Sequence, residues 1–306
     1  MDAIDNIRLN FNPESLLLLN VILGIVMFGI ALDLKLADFK LIFDLPKSII
    51  VGLFGQFLLL PAVTYLLVTI IKPAPGIALG MMLVAACPGG NISNFLTYLA
   101  KGNTALSVCM SAVSTATSVV MTPLNFAFWG SLYVPARNLL TEISLNPLDM
   151  AFSIFLLLGL PMALGLYISH QYPDFADRAK TPMKYFSIIV FGCFVLGALA
   201  ANFENFINYV GLVVFAVFIH NLLALFIGYT GARVMQLPEF DRRAVSIEVG
   251  IQNSGLGLLI IFNFFDGMGG MAIIAAWWGV WHIISGFSLV MFWARKTPAG
   301  MAAGNI

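Results

Sequence analysis

Of the 306 residues, 60% are hydrophobic and only 10% are charged, whereas a soluble domain carries about 25% charged residues. A soluble protein of this length could not hide such an excess, so the composition argues against a soluble enzyme, a nucleic-acid binder or a disordered chain; with 15 basic and 15 acidic residues the net charge is zero, and no global field is available for a polyanion. The composition fits a polytopic helical membrane protein, with a mean hydropathy of +0.95.

The amino terminus, Met1 to Glu14, lacks the basic segment of a cleaved signal peptide, so the first apolar run is expected to be retained. A helix needs about 20 apolar residues to cross about 30 Å of hydrocarbon. That rule predicts nine spans: residues 15–34, 46–71, 77–98, 104–128, 149–169, 183–202, 207–233, 244–263 and 270–293. The connectors are short, among them Lys72 to Pro75, Lys101 to Asn103, and His170 to Met183. Residues 1–306 therefore read as one transmembrane domain. Cys87, Cys109 and Cys193 all fall in apolar runs, which reads as small buried hydrophobes rather than a disulfide framework or thiolate metal site.

Loop charges set the expected orientation. With the amino terminus outside, the cytoplasmic side holds Lys35, Lys40, Lys47, Lys101, Arg178, Lys180, Lys184, Arg233, Arg242, Arg243, Arg295 and Lys296. The outside holds only Arg8, Lys72 and Arg137. A miscounted span would destroy this asymmetry, since every later loop would change side. The expected location is the cell's inner (plasma) membrane, with the carboxyl terminus cytoplasmic.

Two spans are interrupted. The third contains Cys87-Pro88-Gly89-Gly90-Asn91-Ile92-Ser93-Asn94, and the eighth contains Glu248-Val249-Gly250-Ile251-Gln252-Asn253-Ser254-Gly255. Proline removes a helix donor, and unwound backbone at membrane depth is tolerated only inside protein or beside a watery cavity. Broken spans in matching positions of two halves point to a transporter made of inverted repeats. The positions match if each repeat has five helices and the first repeat lacks its first. Glycine and proline are also common in membrane helices in general, but here both breaks carry Asn, Ser or Gln as well.

Glu248 is the only acidic residue well within a predicted span; Asp33 lies at the end of span one. A buried carboxylate needs a partner, and no Lys or Arg shares its depth, so it is either protonated or neutralised by a bound cation. Hard cations prefer oxygen ligands. Candidates are Ser107 and Ser111, four apart on one helix face, Gln252 four after Glu248, Ser93 and Asn94 at the first break, and Gln56 mid-span. A lone hydroxyl in a membrane helix usually bonds its own helix instead. Free half-helix amino termini would attract an anion, so the pattern predicts cation-coupled uptake of an organic anion. Of the histidines, His170 falls in a loop, His220 reads as structural, and His282 falls near the expected cavity. No HExxH, GxSxG or phosphate-loop motif is present.

These strings resemble the bile acid:sodium symporter family. The match runs through Met27-Phe28-Gly29, Gln56-Phe57 with Pro61, Cys87 to Asn94, Tyr98 to Asn103, Ala105 to Val108 with Ser114-Thr115, His220-Asn221, Ile247 to Gly255, and Trp281-His282. The resemblance implies an all-α protein of nine helices, with two crossed, discontinuous helices in a core domain (about 46–128 and 207–293) and a panel domain (about 15–34 and 149–202) that moves against it. It implies two sodium sites. The first would use Ser93, Asn94, Ser107, Ser111 and Glu248; the second Gln56, Glu248 and Gln252 with the carbonyls of Val249 and Ile251. Substrate would meet Asn91, Asn253 and His282. Ser111 stands where bacterial relatives often have Thr, Ile283 where they have Asn, and Asp33 where a neutral residue is expected.

The leading expectation is a secondary active transporter for sodium-coupled symport of an organic anion by alternating access. It would be a non-enzyme in the bilayer, a monomer with an oligomer as the open alternative, and with no nucleic-acid partner. The alternatives are a proton-coupled transporter titrating Glu248, Asp33 or His282, and from other classes an ion channel, an intramembrane enzyme, or a ligand sensor without transport.

Overall fold

Five helices begin on a proline, at Pro13, Pro46, Pro75, Pro147 and Pro173. The first helical position needs no donor, and the fixed φ of proline suits it. The computed structural model describes residues 13–33, 41–90, 92–137, 139–140, 147–201 and 203–298. The helices are α1 (Pro13–Asp33), the short α2 (Leu41–Asp44), α3 (Pro46–Ile71), α4 (Pro75–Ala86), α5 (Ile92–Leu99) and α6 (Thr104–Leu132). They continue as α7 (147–171), α8 (Pro173–Ala201), α9 (Phe203–Val234), α10 (Glu239–Gly250), α11 (Ser254–Phe264) and α12 (Gly269–Trp293). Among the described residues there is no strand. Among the described residues five helices are long and apolar enough to cross a membrane: Pro46–Ile71, Thr104–Leu132, Phe152–Gln171, Val213–Val234 and Gly269–Trp293.

Both interruptions fall where the sequence places them, between α4 and α5 and between α10 and α11. The connector expected from His170 to Met183 is corrected: α7 runs to Gln171, so His170 lies in its last turn rather than in a loop, and α8 already starts at Pro173 and runs through Pro182. Hydropathy reports only the apolar part of a helix. The polar first turns of α8 are stabilised by Asp174 near the helix amino terminus and by an Asp177–Lys180 ion pair at 2.9 Å. Helix α10 likewise begins five residues before the apolar run, with Glu239 and Asp241 in its first turn.

Two helices carry a π turn immediately before a Leu-Pro pair, Gly55–Leu59 before Pro61 and Phe155–Gly159 before Pro161. Proline cannot donate and crowds the previous turn; widening that turn accommodates it without ending the helix. Small residues allow close helix approach. A Cβ on Gly80 would lie 2.8 Å from Met271 Cα, joining α4 to α12, and one on Gly228 would lie 2.8 Å from Ser246 Cα, joining α9 to α10. Gly165 of α7 faces the Phe28 carbonyl and Ala31 of α1, and Gly29 of α1 faces Met183 of α8. Helices α1, α7 and α8 thus form one packed group. Helix α4 is buried along Gly76 to Ala86.

Two buried charges tie together ends of α3, α5, α6, α10 and α12. Asp241, third residue of α10, accepts from Ser48 Oγ at 2.7 Å and from Asn103 Nδ2 at 2.7 Å. Ser48 is the third residue of α3 and Asn103 caps α6, so three helix amino termini converge on this carboxylate, and their dipoles favour it. Arg243 Nη1 donates to the carbonyls of Ala100 (2.8 Å), Trp293 (3.1 Å) and Lys296 (3.0 Å), and its Nε donates to Glu239 Oε1 (3.2 Å). Its guanidinium also lies 5.6 Å from the Trp293 ring centroid. Arg243→Leu leaves three carbonyls without this donor, and a loss of about 3 kcal/mol is expected at about 1 kcal/mol each. A lowered Tm in detergent that Arg243→Lys does not restore is the result to look for.

Candidate functional site

The two unwound segments meet. Gly89 and Gln252 form an isolated antiparallel bridge. Gly90 N donates to Ile251 O at 2.6 Å and Asn253 N donates to Pro88 O at 2.9 Å. Each break therefore satisfies part of the other's backbone, which a membrane interior demands. The approach requires glycine: a Cβ at Gly90 would sit 2.9 Å from the Gln252 carbonyl oxygen, and one at Gly89 only 2.2 Å from Glu248 Oε1.

Side chains take up the carbonyls that the breaks release. Thr122 Oγ1 donates to Ala86 O (2.7 Å), Gln56 Nε2 to Cys87 O (2.6 Å) and Asn221 Nδ2 to Gly250 O (2.7 Å). Asn253 caps the far half-helix, its Oδ1 accepting from Leu256 N at 3.0 Å. Gln56 sits in the first π turn, and such turns recur at functional sites.

Next to the crossing, oxygens gather around Glu248, which is 1% exposed. Ser93 Oγ donates to Oε2 at 2.5 Å, Ser111 Oγ to Oε1 at 2.8 Å, and Ser107 Oγ approaches Oε2 at 3.3 Å. Asn94 Oδ1 accepts from Ser107 Oγ at 2.9 Å and lies 3.1 Å from Ser111 Oγ, whose single proton goes to Glu248. The structure thus brings together Ser93, Asn94, Ser107, Ser111 and Glu248 from α5, α6 and α10. Among the described residues no Lys, Arg or His pairs with Glu248, and no group of three His, Cys, Asp or Glu side chains forms. A carboxylate among hydroxyl and amide oxygens suits a hard cation better than a transition metal.

A second group lies at Gln56 and Gln252, whose amides bond reciprocally, Gln56 Nε2 to Gln252 Oε1 at 2.8 Å and Gln252 Nε2 to Gln56 Oε1 at 3.1 Å. Gln252 Nε2 also donates to Val249 O at 2.5 Å. The carbonyl of Ile251 is engaged by Gly90, and both oxygens of Glu248 bond to the serines rather than to these amides.

Asn91 lies outside the described residues, and so does the side chain of Asp33. His282 is buried, and its Nδ1 has no hydrogen-bond partner among the described residues. It shares a face of α12 with Gly279, which meets Ser254 Oγ, and Gly286, which meets Leu96 and Ile251; that face packs on the crossing. His220 has a structural setting. Thr64 Oγ1 donates to Leu60 O at 2.7 Å, so His220 Nε2 donates to Thr64 Oγ1, also at 2.7 Å, while the ring meets Trp278 edge-on with centroids 4.5 Å apart.

The sequence reading misses three residues. Thr97 Oγ1 donates to Ser107 Oγ at 3.3 Å; its spacing of four from Ser93 is the available signal. Thr122 falls on the same face of α6 as Ser107, Ser111 and Ser118. Asn221 belongs to a matched string, yet its task of capping Gly250 shows only in three dimensions.

The model of the Sodium Bile acid symporter family matches residues 20–209, which include the first break and the serines of α6. The chain is 32% identical over 292 residues, 94% of its length, to a Bacillus subtilis (strain 168) protein named an uncharacterized sodium-dependent transporter, YocS, of which 87% is covered. It is 29% identical over 276 residues, 90% of its length, to a chloroplastic protein of Arabidopsis thaliana named a probable sodium/metabolite cotransporter, BASS1, of which 66% is covered. The P3 protein of Mus musculus is 31% identical over 256 residues, 82% of the chain, and 52% of it is covered. The chain thus spans about two thirds of the plant relative and about half of the mouse one.

Proposed function

The chain belongs to the Sodium Bile acid symporter family, a family of sodium-dependent membrane transporters, and from that membership we propose that it is a secondary transporter that drives uptake of an organic anion with sodium. The observation that carries the proposal is the buried Glu248 carboxylate among the oxygens of Ser93, Asn94, Ser107 and Ser111, with no basic partner among the described residues. An unpaired carboxylate at this depth is costly, and a sodium ion supplies the missing charge. A second ion would be held by Gln56, Gln252, Glu248 and the carbonyls of Val249 and Ile251, which requires the reciprocal amide pair to open and Glu248 to be shared.

Sodium on these groups would fasten α5, α6 and α10 to one another and order the crossing. The amino-terminal ends of α5 and α11, with Asn91, Asn253 and His282, would then receive a carboxylate or sulfonate. The proposed architecture has nine crossings in inverted five-helix repeats lacking one helix, amino terminus outside, in the plasma membrane. A panel of α1, α7 and α8 would rock against the remaining core, exposing the site alternately on each side. The relatives' names, a sodium-dependent transporter and a sodium/metabolite cotransporter, favour the same direction.

The test is uptake of labelled organic acids, from short carboxylates to a bile acid, into proteoliposomes under an inward sodium gradient. Accumulation that choline cannot support is expected. Equal uptake in choline overturns the sodium coupling, and uptake driven by a pH gradient alone supports the proton-coupled alternative. Gly89→Ala provides a sharper check, because the added methyl would displace the Glu248 carboxylate. Its half-saturating sodium concentration is expected to rise about tenfold or more, equivalent to about 1.4 kcal/mol.

A further inference from the structure

The hydroxyls in the first half of α6, before the Thr122 that bonds Ala86 O, contrast in what they bond. Ser114, Thr117 and Ser118 donate to carbonyls of their own helix, Ser111 O at 3.1 Å, Val113 O at 2.7 Å and Thr115 O at 2.7 Å, as hydroxyls in membrane helices ordinarily do. Ser107 and Ser111 instead point at Asn94 and Glu248.

That orientation creates a proton problem for Ser107. A hydroxyl has one proton and two lone pairs, and to ligate a cation it presents a lone pair and turns the proton away. Two neighbours of Ser107 Oγ, Asn94 Oδ1 and Glu248 Oε2, belong to the ligand set and would face the ion themselves. The remaining hydrogen-bonded neighbour is Thr97 Oγ1, 3.3 Å away on α5 and fully buried. Thr97 is held in place on its other side. Gly102 N donates to Thr97 O at 2.8 Å, and a Cβ on Gly102 would lie 2.8 Å from Thr97 Cγ2.

We infer that Thr97 is a positioning residue of the cation site, accepting the proton of Ser107 so that the serine oxygen is free to ligate sodium. With no ion bound, Thr97 donates to Ser107. With the ion bound the hydrogen bond reverses, Ser107 donates to Thr97, and Thr97 gives its own proton to the carbonyl of Ser93 one turn back. No covalent bond changes; two hydroxyl rotors turn. The inference rests on the reading of this cluster as a sodium site.

The experiment is sodium titration of the thermal unfolding of the purified full-length protein, with choline holding ionic strength constant. Wild type, Thr97→Val, Thr97→Ala and Thr97→Ser are compared. Valine keeps the shape and removes only the hydroxyl. Thr97→Val and Thr97→Ala are expected to weaken sodium about five- to tenfold, the worth of one hydrogen bond, while Thr97→Ser binds as wild type does. A merely structural role would lower Tm without sodium and leave the midpoint of the sodium titration unmoved. Sodium midpoints in Thr97→Val and Thr97→Ala equal to wild type overturn the inference, as does a Thr97→Ser variant that binds as weakly as they do. A wild-type protein whose Tm does not respond to sodium overturns instead the sodium reading on which it depends.

Discussion

Glu248→Gln is expected to abolish sodium-driven uptake while leaving a folded protein. Glutamine keeps the carboxylate's shape: its oxygen can stand in for Oε2 and accept from Ser93 and Ser107, while its amide donates to Ser111 Oγ, whose proton turns to Asn94 Oδ1. What disappears is the charge. At about 4 Å and an effective dielectric of about 20, a unit charge pair is worth about 4 kcal/mol, so sodium affinity falls by about a thousandfold. Removing a buried charge also relieves a desolvation cost, and the variant is expected to be at least as heat-stable as wild type in the absence of sodium. Proteoliposome uptake together with a sodium-free melting curve checks both parts. A variant that accumulates substrate at the wild-type rate would show that Glu248 is not the coupling carboxylate.

The second large effect concerns rocking. Asn20 of α1 and Asn263 of α11 exchange side-chain amide bonds, Asn20 Nδ2 to Asn263 Oδ1 at 3.1 Å and Asn263 Nδ2 to Asn20 Oδ1 at 3.0 Å. The pair joins the proposed panel to the proposed core. In the proposed orientation it lies toward the outer face, where the two groups would have to separate for substrate to enter. Replacing both with cysteine and cross-linking from outside is expected to reduce uptake to background, with full recovery on reduction. Cys87 and Cys109 are buried and should not compete, and Cys193 is replaced by serine in the same background. Wild-type uptake in the cross-linked protein would rule out a rocking motion that parts α1 from α11.

Much of this was legible in sequence because membranes simplify the code. Both breaks fall at the predicted positions, since Pro88, Gly89 and Gly90 on one side and Gly250, Gln252 and Asn253 on the other cannot continue a helix in hydrocarbon without help. Ser107 and Ser111 fall on one face by spacing alone. The missed features need coordinates. A Ser or Thr in an apolar helix bonds its own backbone by default, so nothing in the sequence sets Thr97 apart; only the fold places Ser107 of another helix beside it. Asn221 and Thr122 cap carbonyls on Gly250 and Ala86, partners that no local pattern supplies. The polar start of α8 looks like a loop in the sequence because a hydropathy window registers apolar residues, not helix. Arg243 counts as a cytoplasmic loop charge in the sequence, whereas it and Asp241 are buried where helix ends meet.

The central claim, that the oxygens around Glu248 hold the sodium that drives transport, is tested most directly by equilibrium binding of radioactive sodium to purified protein. Saturable binding to wild type, lost in Glu248→Gln and weakened in Ser111→Ala, is the predicted result. Equal saturable binding in wild type and Glu248→Gln would contradict it.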